Sequence, residues 1–291
     1  MDREYTYGRT VVAENLRFPE GPAFDRDGNL YVVEMQGRQV SRIAPDGAVS
    51  VFANTGGGPN GSNFGPDGHL YVCNNGGFLG PDKEPGRIER IAPDGSIEVL
   101  IREVDGQPLN SPNDLSFDEN GNFYFTDPTW RTTPDDTPPG SIYFHDTEGT
   151  THRLHTGFGF PNGIGVSPDG KTLIVCESLT YKLHAFDIHE PGVLGEPREF
   201  GDLGDGAHPD GFAFDADGNV LCCGFESGQI HVFPPTGGAK LTTLDFEDKR
   251  VTNVCFGGPD HKSLFVTESR LGRVVRVEWD RPGMVLFPDR G

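Results

Sequence analysis

A hairpin pattern recurs six times along the chain. Each copy starts at a proline, or in the sixth copy at a valine, and runs through a short apolar strand to a turn and a second apolar strand. In five copies the turn contains an Asp-Gly or Asn-Gly pair. The six copies are PEGPAFDRDGNLYVVE (19–34), PNGSNFGPDGHLYVCN (59–74), PNDLSFDENGNFYFTD (112–127), PNGIGVSPDGKTLIVCE (161–177), PDGFAFDADGNVLCCG (209–224) and VTNVCFGGPDHKSLFVTE (251–268). Their turns lie 40, 53, 49, 48 and 43 residues apart, a period that is typical of β-propeller blades.

The first five repeats continue into a third strand, led by glycine in all but the looser fourth repeat, and then into a fourth strand. Residues 37–53 and 86–101 show this plan, with the alternation of apolar and polar residues expected of strands with one wetter face. The sixth repeat has a third strand at 272–279 and no fourth, whereas a strand-like segment at 10–15 precedes the first repeat without a partner. We therefore predict an all-β, six-bladed β-propeller with four-stranded antiparallel blades around a central channel, a single domain over residues 1–291. The N-terminal strand is expected to complete blade six and close the ring.

The composition narrows the classes of partner. A net charge of −20 argues against nucleic acid, because binding phosphates requires a basic surface. The first residues are charged, no apolar run reaches the length of a membrane span, and the five cysteines form no Cys-x-x-Cys pair. We therefore expect a cytoplasmic monomer or small homo-oligomer that acts on a small molecule and contacts neither nucleic acid nor membrane.

The second residue of each repeat carries an oxygen-bearing side chain in every copy. These six residues, called the column below, are Glu20, Asn60, Asn113, Asn162, Asp210 and Thr252. Because a propeller places equivalent positions around one axis, the column should meet at one mouth of the channel. Two carboxylates (Glu20, Asp210) and two amides (Asn113, Asn162) form an oxygen-only ligand set that suits one divalent cation and leaves positions open for water and substrate. Calcium is the first expectation, with zinc, manganese, magnesium and iron(II) as alternatives.

A purely structural interpretation of the column is also available. Asn and Asp at strand starts often bond neighbouring backbone, and Pro-Asn-Gly and Pro-Asp-Gly are common turns. This interpretation accounts for the Asn and Asp members one by one. It does not account for Glu20, because glutamate is not a turn residue, or for the absence of apolar side chains from the column.

Four motifs in this order resemble the SMP-30/gluconolactonase/LRE family. They are FPEGP (18–22), LNSPND (109–114) with YFTDP (124–128), FPNG (160–163) and HPDG (208–211). The resemblance spans essentially the whole chain and implies a six-bladed propeller with one divalent metal in its channel and the hydrolysis of sugar lactones. It implies that Glu20, Asn162 and Asp210 bind the metal. It further implies that Asn113 binds the metal or the substrate and that Asp210 transfers the proton.

One position departs from the family pattern. Vertebrate members carry an arginine where this chain has Ser111, so the preferred sugar is left open while the fold and the metal site are not affected. Trp130 either stacks on a sugar face or anchors its loop, and His208 is a hydroxyl contact, an alternative base or a supporting residue. The candidate substrate contacts are Asn75, Ser111, Asn113, Asp127, Trp130 and His208.

The reaction expected from these residues is hydrolysis of a glucono- or xylono-type aldonolactone to the aldonic acid. The metal acts as a Lewis acid and Asp210 as general base and then general acid. Two alternatives remain open. One is a metal-dependent arylesterase or phosphotriesterase-like hydrolase, since a Lewis acid polarises P=O as well as C=O. The other is a non-catalytic, NHL-like propeller that binds a protein or polysaccharide.

Overall fold

The computed structural model describes residues 8–77, 83–129 and 139–289, in which the chain forms one antiparallel sheet for each repeat. Strands are numbered in chain order. The first three blades are β2 (Pro19–Phe24), β3 (Leu30–Glu34), β4 (Gln39–Ile43) and β5 (Val49–Ala53); β6 (Pro59–Phe64), β7 (Leu70–Asn74), β8 (Arg87–Ile91) and β9 (Ile97–Ile101); and β12 (Leu115–Phe117), β13 (Phe123–Asp127), β14 (Gly140–His145) and β15 (Thr151–Phe158). Blades two and three are linked by the short hairpin of β10 (Glu103–Val104) and β11 (Gln107–Pro108), which the repeats did not predict.

The last three blades follow the same order. They are β16 (Pro161–Val166), β17 (Thr172–Glu177), β18 (Lys182–Glu190) and β20 (Arg198–Asp202); β21 (His208–Phe214), β22 (Val220–Phe225), β23 (Gln229–Phe233) and β24 (Thr242–Asp245); and β25 (Val251–Gly257), β26 (Ser263–Glu268), β27 (Arg273–Glu278) and β1 (Arg9–Ala13). Blade four has a fifth short strand, β19 (Val193–Leu194), because β18 extends past its partner β17 and folds back on itself. A single 3₁₀ turn, Ser178–Thr180, follows β17.

The ring closes as predicted. Strand β1 pairs antiparallel with β27, with Arg9 opposite Val277 and Val11 opposite Val275, so the N-terminal strand is the outer strand of blade six. The innermost strands touch in the cyclic order β2, β6, β12, β16, β21, β25 and back to β2. The prediction of a six-bladed propeller is thus confirmed, and blades one and four lie opposite each other across the channel.

Five of the six innermost strands contain an irregularity next to their column residue. The antiparallel register shifts between Glu20 and Ala23 in blade one, and at the equivalent place in blades two, four, five and six. A β-bulge locally bends a strand and re-aims a side chain. We infer that this repeated bulge turns the column side chains toward the channel.

Close approach of the innermost strands depends on the glycine that follows the column residue. A Cβ atom on Gly21 would lie 2.5 Å from the carbonyl oxygen of Asn60, and one on Gly163 would lie 2.4 Å from the carbonyl oxygen of Asp210. Both distances are too short for any side chain. The glycines therefore bring neighbouring column residues together, while apolar side chains between adjacent sheets form the core.

The far end of the channel is covered by the C-terminal segment. The amide of Met284 donates to the carbonyl oxygen of Phe214 at 2.9 Å, and Met284 and Phe287 line a small inner cavity of about 100 Å³. In the parts of the chain that the structure describes, no helix is long and apolar enough to cross a membrane.

Candidate metal centre

The column lines a single cavity of about 430 Å³ at the other end of the channel. All six column residues, from six different blades, contribute to its wall. Glu20 and Asp210 are 3% and 8% exposed, and the four other column side chains are buried to a similar degree. The structure therefore brings together the four residues that were predicted as metal ligands.

The side chain of Asn162 is held within its own blade, which is tied at this point to the blades on both sides. Its Nδ2 donates to Ser178 Oγ at 3.2 Å, and Ser178 Oγ in turn donates to the carbonyl oxygen of Pro209 at 2.7 Å. From the other side, Thr126 Oγ1 donates to the backbone carbonyl oxygen of Asn162 at 2.7 Å. Because the amide nitrogen is engaged, Oδ1 is the Asn162 atom available to a cation.

The two column carboxyls carry a strong electrostatic penalty. Burial raises the pKa of Glu20 well above its usual value, and the negative charge of Asp210 raises it further. Burial likewise raises the pKa of Asp210, with added contributions from the Cys222 thiol and the Asp114 carboxyl. Two buried carboxylates without a cationic partner are costly.

Hydrogen bonds from Asn162 to Asp210 and from Thr252 to Glu20 offset part of this penalty, but the described lining places no cationic side chain against either carboxyl. Arg250 is its only strong base, and the Arg250 Nε already donates to Glu226 Oε1 at 3.0 Å near the rim. Among the described residues, no group of three or more His, Cys, Asp or Glu side chains is placed to hold a metal. A cation bound between Glu20 and Asp210 therefore needs the amide oxygens as well, a ligand chemistry that suits a hard divalent ion. The residues present fit such an ion.

Asp114 is a member of the site that the repeat comparison missed. It follows Asn113, at the position where four other repeats have glycine, and this break in the pattern is the signal that singles it out. Its carboxyl faces the inner cavity, accepts the Leu115 amide at 2.9 Å, and has its pKa raised to about 7 by burial. The negative charge of Asp114 acts on both Glu20 and Asp210.

The predicted substrate contacts fall into two groups. His208 and Asn113 line the cavity, and His208 Nδ1 lies 2.8 Å from the carbonyl oxygen of Ser178, so Nδ1 carries the proton. The Tyr181 ring packs against the imidazole with centroids 4.9 Å apart. Nε2 of a neutral His208 is thus left as a hydrogen-bond acceptor.

Asn75, Ser111 and Asp127 do not line the cavity. The Asp127 carboxylate accepts the backbone amides of Asn110 and Ser111, and the Ser111 hydroxyl donates to the carbonyl oxygen of Pro128 at 2.6 Å. Asn75 Oδ1 accepts the amide of Gly77 at 2.9 Å. These side chains hold the loops above their blades. Trp130 lies outside the described residues.

The fold and the cavity together define a class of protein: a six-bladed propeller whose channel opens onto a ring of oxygen-bearing side chains. The chain belongs to the SMP-30/gluconolactonase/LRE family, since the family's sequence model, described as an SMP-30/Gluconolactonase/LRE-like region, matches residues 18–270.

Its relatives include enzymes that act on different bonds. Diisopropyl-fluorophosphatase from Loligo vulgaris is 32% identical over 302 aligned positions, which cover 94% of this chain and 93% of the relative. Pentonolactonase XacC from Haloferax volcanii is 30% identical, with 88% of this chain and 83% of the relative covered. The structure of a gluconolactonase from Xanthomonas campestris superposes with a TM-score of 0.80 at 26% identity, covering 95% of this chain and 90% of that one.

Proposed function

We propose that this protein is a lactone hydrolase whose site is completed by one divalent cation, calcium first among the candidates. Glu20, Asn113, Asn162 and Asp210 would hold the ion. The observation that carries the proposal is the meeting of these four oxygen donors, from four separate blades, in one cavity whose described lining places no cationic side chain against its two buried carboxyls. Family membership and lactonase relatives support the same reaction class.

The chemistry divides between the ion and the chain. A bound divalent cation supplies Lewis acidity to the lactone carbonyl. Asp210, at the cavity wall, accepts a proton from the water that attacks the carbonyl carbon. After the ring C–O bond breaks, Asp210 returns that proton to the leaving oxygen, so the product is the hydroxy acid. Ser178 and Thr126 hold Asn162 in place through the hydrogen bonds described above.

The choice of lactone belongs to the proposal as well. The sequence predicts a glucono- or xylono-type sugar lactone, and His208 and Asn113 are the predicted contacts that line the cavity. His208 Nε2 would accept a hydrogen bond from a substrate hydroxyl. Contacts through Ser111 or Asp127 have less support, because those side chains are engaged by the backbone, and Asn75 lies outside the cavity lining with its Oδ1 accepting the Gly77 amide.

A second candidate is an arylesterase or phosphotriesterase-like hydrolase that uses the same site. Phe18, Met35, Phe160 and Phe225 give the described part of the cavity apolar walls, which suit an aryl or alkyl ester better than a polyhydroxylated ring. The similarity to diisopropyl-fluorophosphatase points the same way. A divalent cation can polarise the C=O group of a lactone and the P=O group of a phosphotriester alike.

The test is a pH-stat assay of a lactone panel and a paraoxon-type ester. Protein treated with EDTA is assayed before and after addition of calcium, zinc, manganese, magnesium or iron(II). We expect lactone hydrolysis that disappears with EDTA and returns with metal. Asp210→Asn should lower kcat by about 10²-fold or more, whereas Asp205→Asn, at an exposed acid nearby, should not.

Three outcomes would contradict the account. No hydrolysis of any lactone with any of the five metals would overturn the lactonase proposal. Faster turnover of the paraoxon-type ester than of every lactone would favour the second candidate. Full activity of Asp210→Asn would remove Asp210 from the proton transfer.

A further inference from the structure

A second ring of side chains lies just above the column. Its members stand two residues before each column residue, and we call them the rim ring: Phe18, Gly58, Ser111, Phe160, His208 and Arg250. Four of them, all but the small Gly58 and Ser111, line the cavity. The rim ring is therefore bulky on blades one, four, five and six and small on blades two and three.

Blades one and four fix their rim residues in the same way. The amide of Met35 donates to the Phe18 carbonyl oxygen at 3.0 Å, and the amide of Ser178 donates to the Phe160 carbonyl oxygen at 3.0 Å. Since blades one and four are opposite in the ring, two phenylalanines stand on opposite walls above the ligand set. Met35 and Leu179 extend the two apolar walls.

Both phenylalanines have an unusual backbone conformation. Phe18 has φ 59° and Phe160 has φ 63°, in the left-handed region that bulky residues seldom occupy. A third residue of the cavity lining, Glu226, has φ 70°. Such conformations tend to collect at functional sites, where the surrounding structure holds them in place. Glycine would fit both positions with less strain.

On blades one and four the rim ring itself is apolar, and the polar lining there is Gln36 and the Ser178 hydroxyl, which donates to the Pro209 carbonyl oxygen. Arg250 is engaged by Glu226 and lies over the Phe225 ring, with its guanidinium carbon 5.5 Å from the ring centroid. Substrate hydroxyls placed against Phe18 or Phe160 would lose hydrogen bonds to water without replacement, which disfavours binding.

We propose that Phe18 and Phe160 form an aromatic clamp that selects lactones carrying an apolar alkyl or aryl substituent. The clamp grips that substituent while the lactone carbonyl faces the column below. This inference rests on the proposed lactone hydrolysis, and it replaces the sugar lactone expected from the sequence by a lactone with an apolar substituent. It makes the two phenylalanines specificity-determining residues. They occupy equivalent positions in their repeats, and the backbone hydrogen bonds described above hold them at the same height above the column.

The test compares γ-alkyl-γ-butyrolactones of increasing chain length with glucono-δ-lactone. Each buried methylene should raise kcat/KM up to about fourfold, from roughly 0.8 kcal/mol per CH₂. Phe18→Gly and Phe160→Gly remove the rings at positions where glycine accepts the positive φ readily, so both variants should fold. In each, we expect the gain per methylene to fall below about twofold. Leu241→Ala, which deletes an exposed apolar side chain outside the cavity lining, is the matched control.

The results separate the clamp from the proposed function. If the wild type hydrolyses lactones but shows no rise with chain length, or prefers glucono-δ-lactone, the clamp is wrong and the lactonase proposal stands. If both glycine variants keep the wild-type rise while melting no lower than wild type, the phenylalanines do not select the substituent. If no lactone is hydrolysed, both proposals fail.

Discussion

Replacing Asp210 by asparagine should stabilise the metal-free protein while it destroys the activity. In the folded state, burial raises the pKa values of Glu20 and Asp210, so the folded protein binds protons more tightly than the unfolded chain. The stability that these carboxyls contribute is complete below their unfolded pKa, near 4, and is lost as the pH rises through their raised folded values. At pH 8 the metal-free wild type therefore bears the cost of burying two carboxyls that are charged in the unfolded chain, and Asp210→Asn removes one of them.

The rise in Tm follows from the free energy of the buried charge and from the unfolding entropy of the chain. A buried polar group that lacks a full set of partners costs about 1–3 kcal/mol, and a charged one costs more, so removing one of the two charges should be worth at least this range. A chain of 291 residues has an unfolding entropy of about 0.6 kcal/mol/K, at roughly 2.1 cal/mol/K per residue. The expected rise in Tm is thus about 2–5 °C in EDTA at pH 8, and it should shrink toward zero near pH 4.

Metal should narrow the Tm difference between the two proteins, and should reverse it where the extra gain of the wild type exceeds the advantage of Asp210→Asn in EDTA. At a free cation concentration of 100 Kd, the wild type gains about 2.7 kcal/mol, or about 4 °C. Asp210→Asn keeps an oxygen donor but lacks the charge, so it should gain less. The assay is differential scanning fluorimetry of both proteins at pH 4 to 8, with EDTA and with metal. A lower Tm for Asp210→Asn in EDTA at pH 8, or a difference that does not change with pH, would refute this reasoning.

Two further predictions concern the groups that hold the site. Gly163→Ala should destabilise the protein by about 1–3 kcal/mol, because its Cβ would lie 2.4 Å from the Asp210 carbonyl oxygen; urea denaturation measures this, and an unchanged midpoint would contradict it. Thr126→Val should weaken metal binding by about 10- to 100-fold through loss of the 2.7 Å hydrogen bond to the Asn162 backbone. Isothermal titration calorimetry tests the second prediction, and wild-type affinity would show that this bond does not position Asn162.

The sequence predicted the positions of residues and strands correctly where these follow from the repeat alone. Equivalent positions in a propeller face the same axis, so Glu20, Asn162 and Asp210 could be brought together from the spacing of their repeats alone. The closing strand could be predicted because one segment lacked a partner and one blade lacked a strand. These inferences need only the periodicity and the closure of the ring.

Side-chain roles at strand ends could not be read in the same way. Asp127 ends a second strand and was predicted to contact the substrate, but its carboxylate accepts the amides of Asn110 and Ser111. A carboxylate looks the same in the sequence whether it binds a ligand or a backbone amide. The left-handed conformations of Phe18 and Phe160 were also hidden, because they arise from how the strand is entered and not from the residue type.

The central claim is that four side chains of the column hold one divalent cation. Inductively coupled plasma mass spectrometry after dialysis against metal, combined with titration calorimetry, tests it most directly in the wild type and in Glu20→Gln. We predict one ion per wild-type chain, removed by EDTA together with the activity, and at least a tenfold weaker affinity in Glu20→Gln. A wild-type chain that binds no ion, or that binds one as tightly when Glu20 is neutral, would contradict the claim.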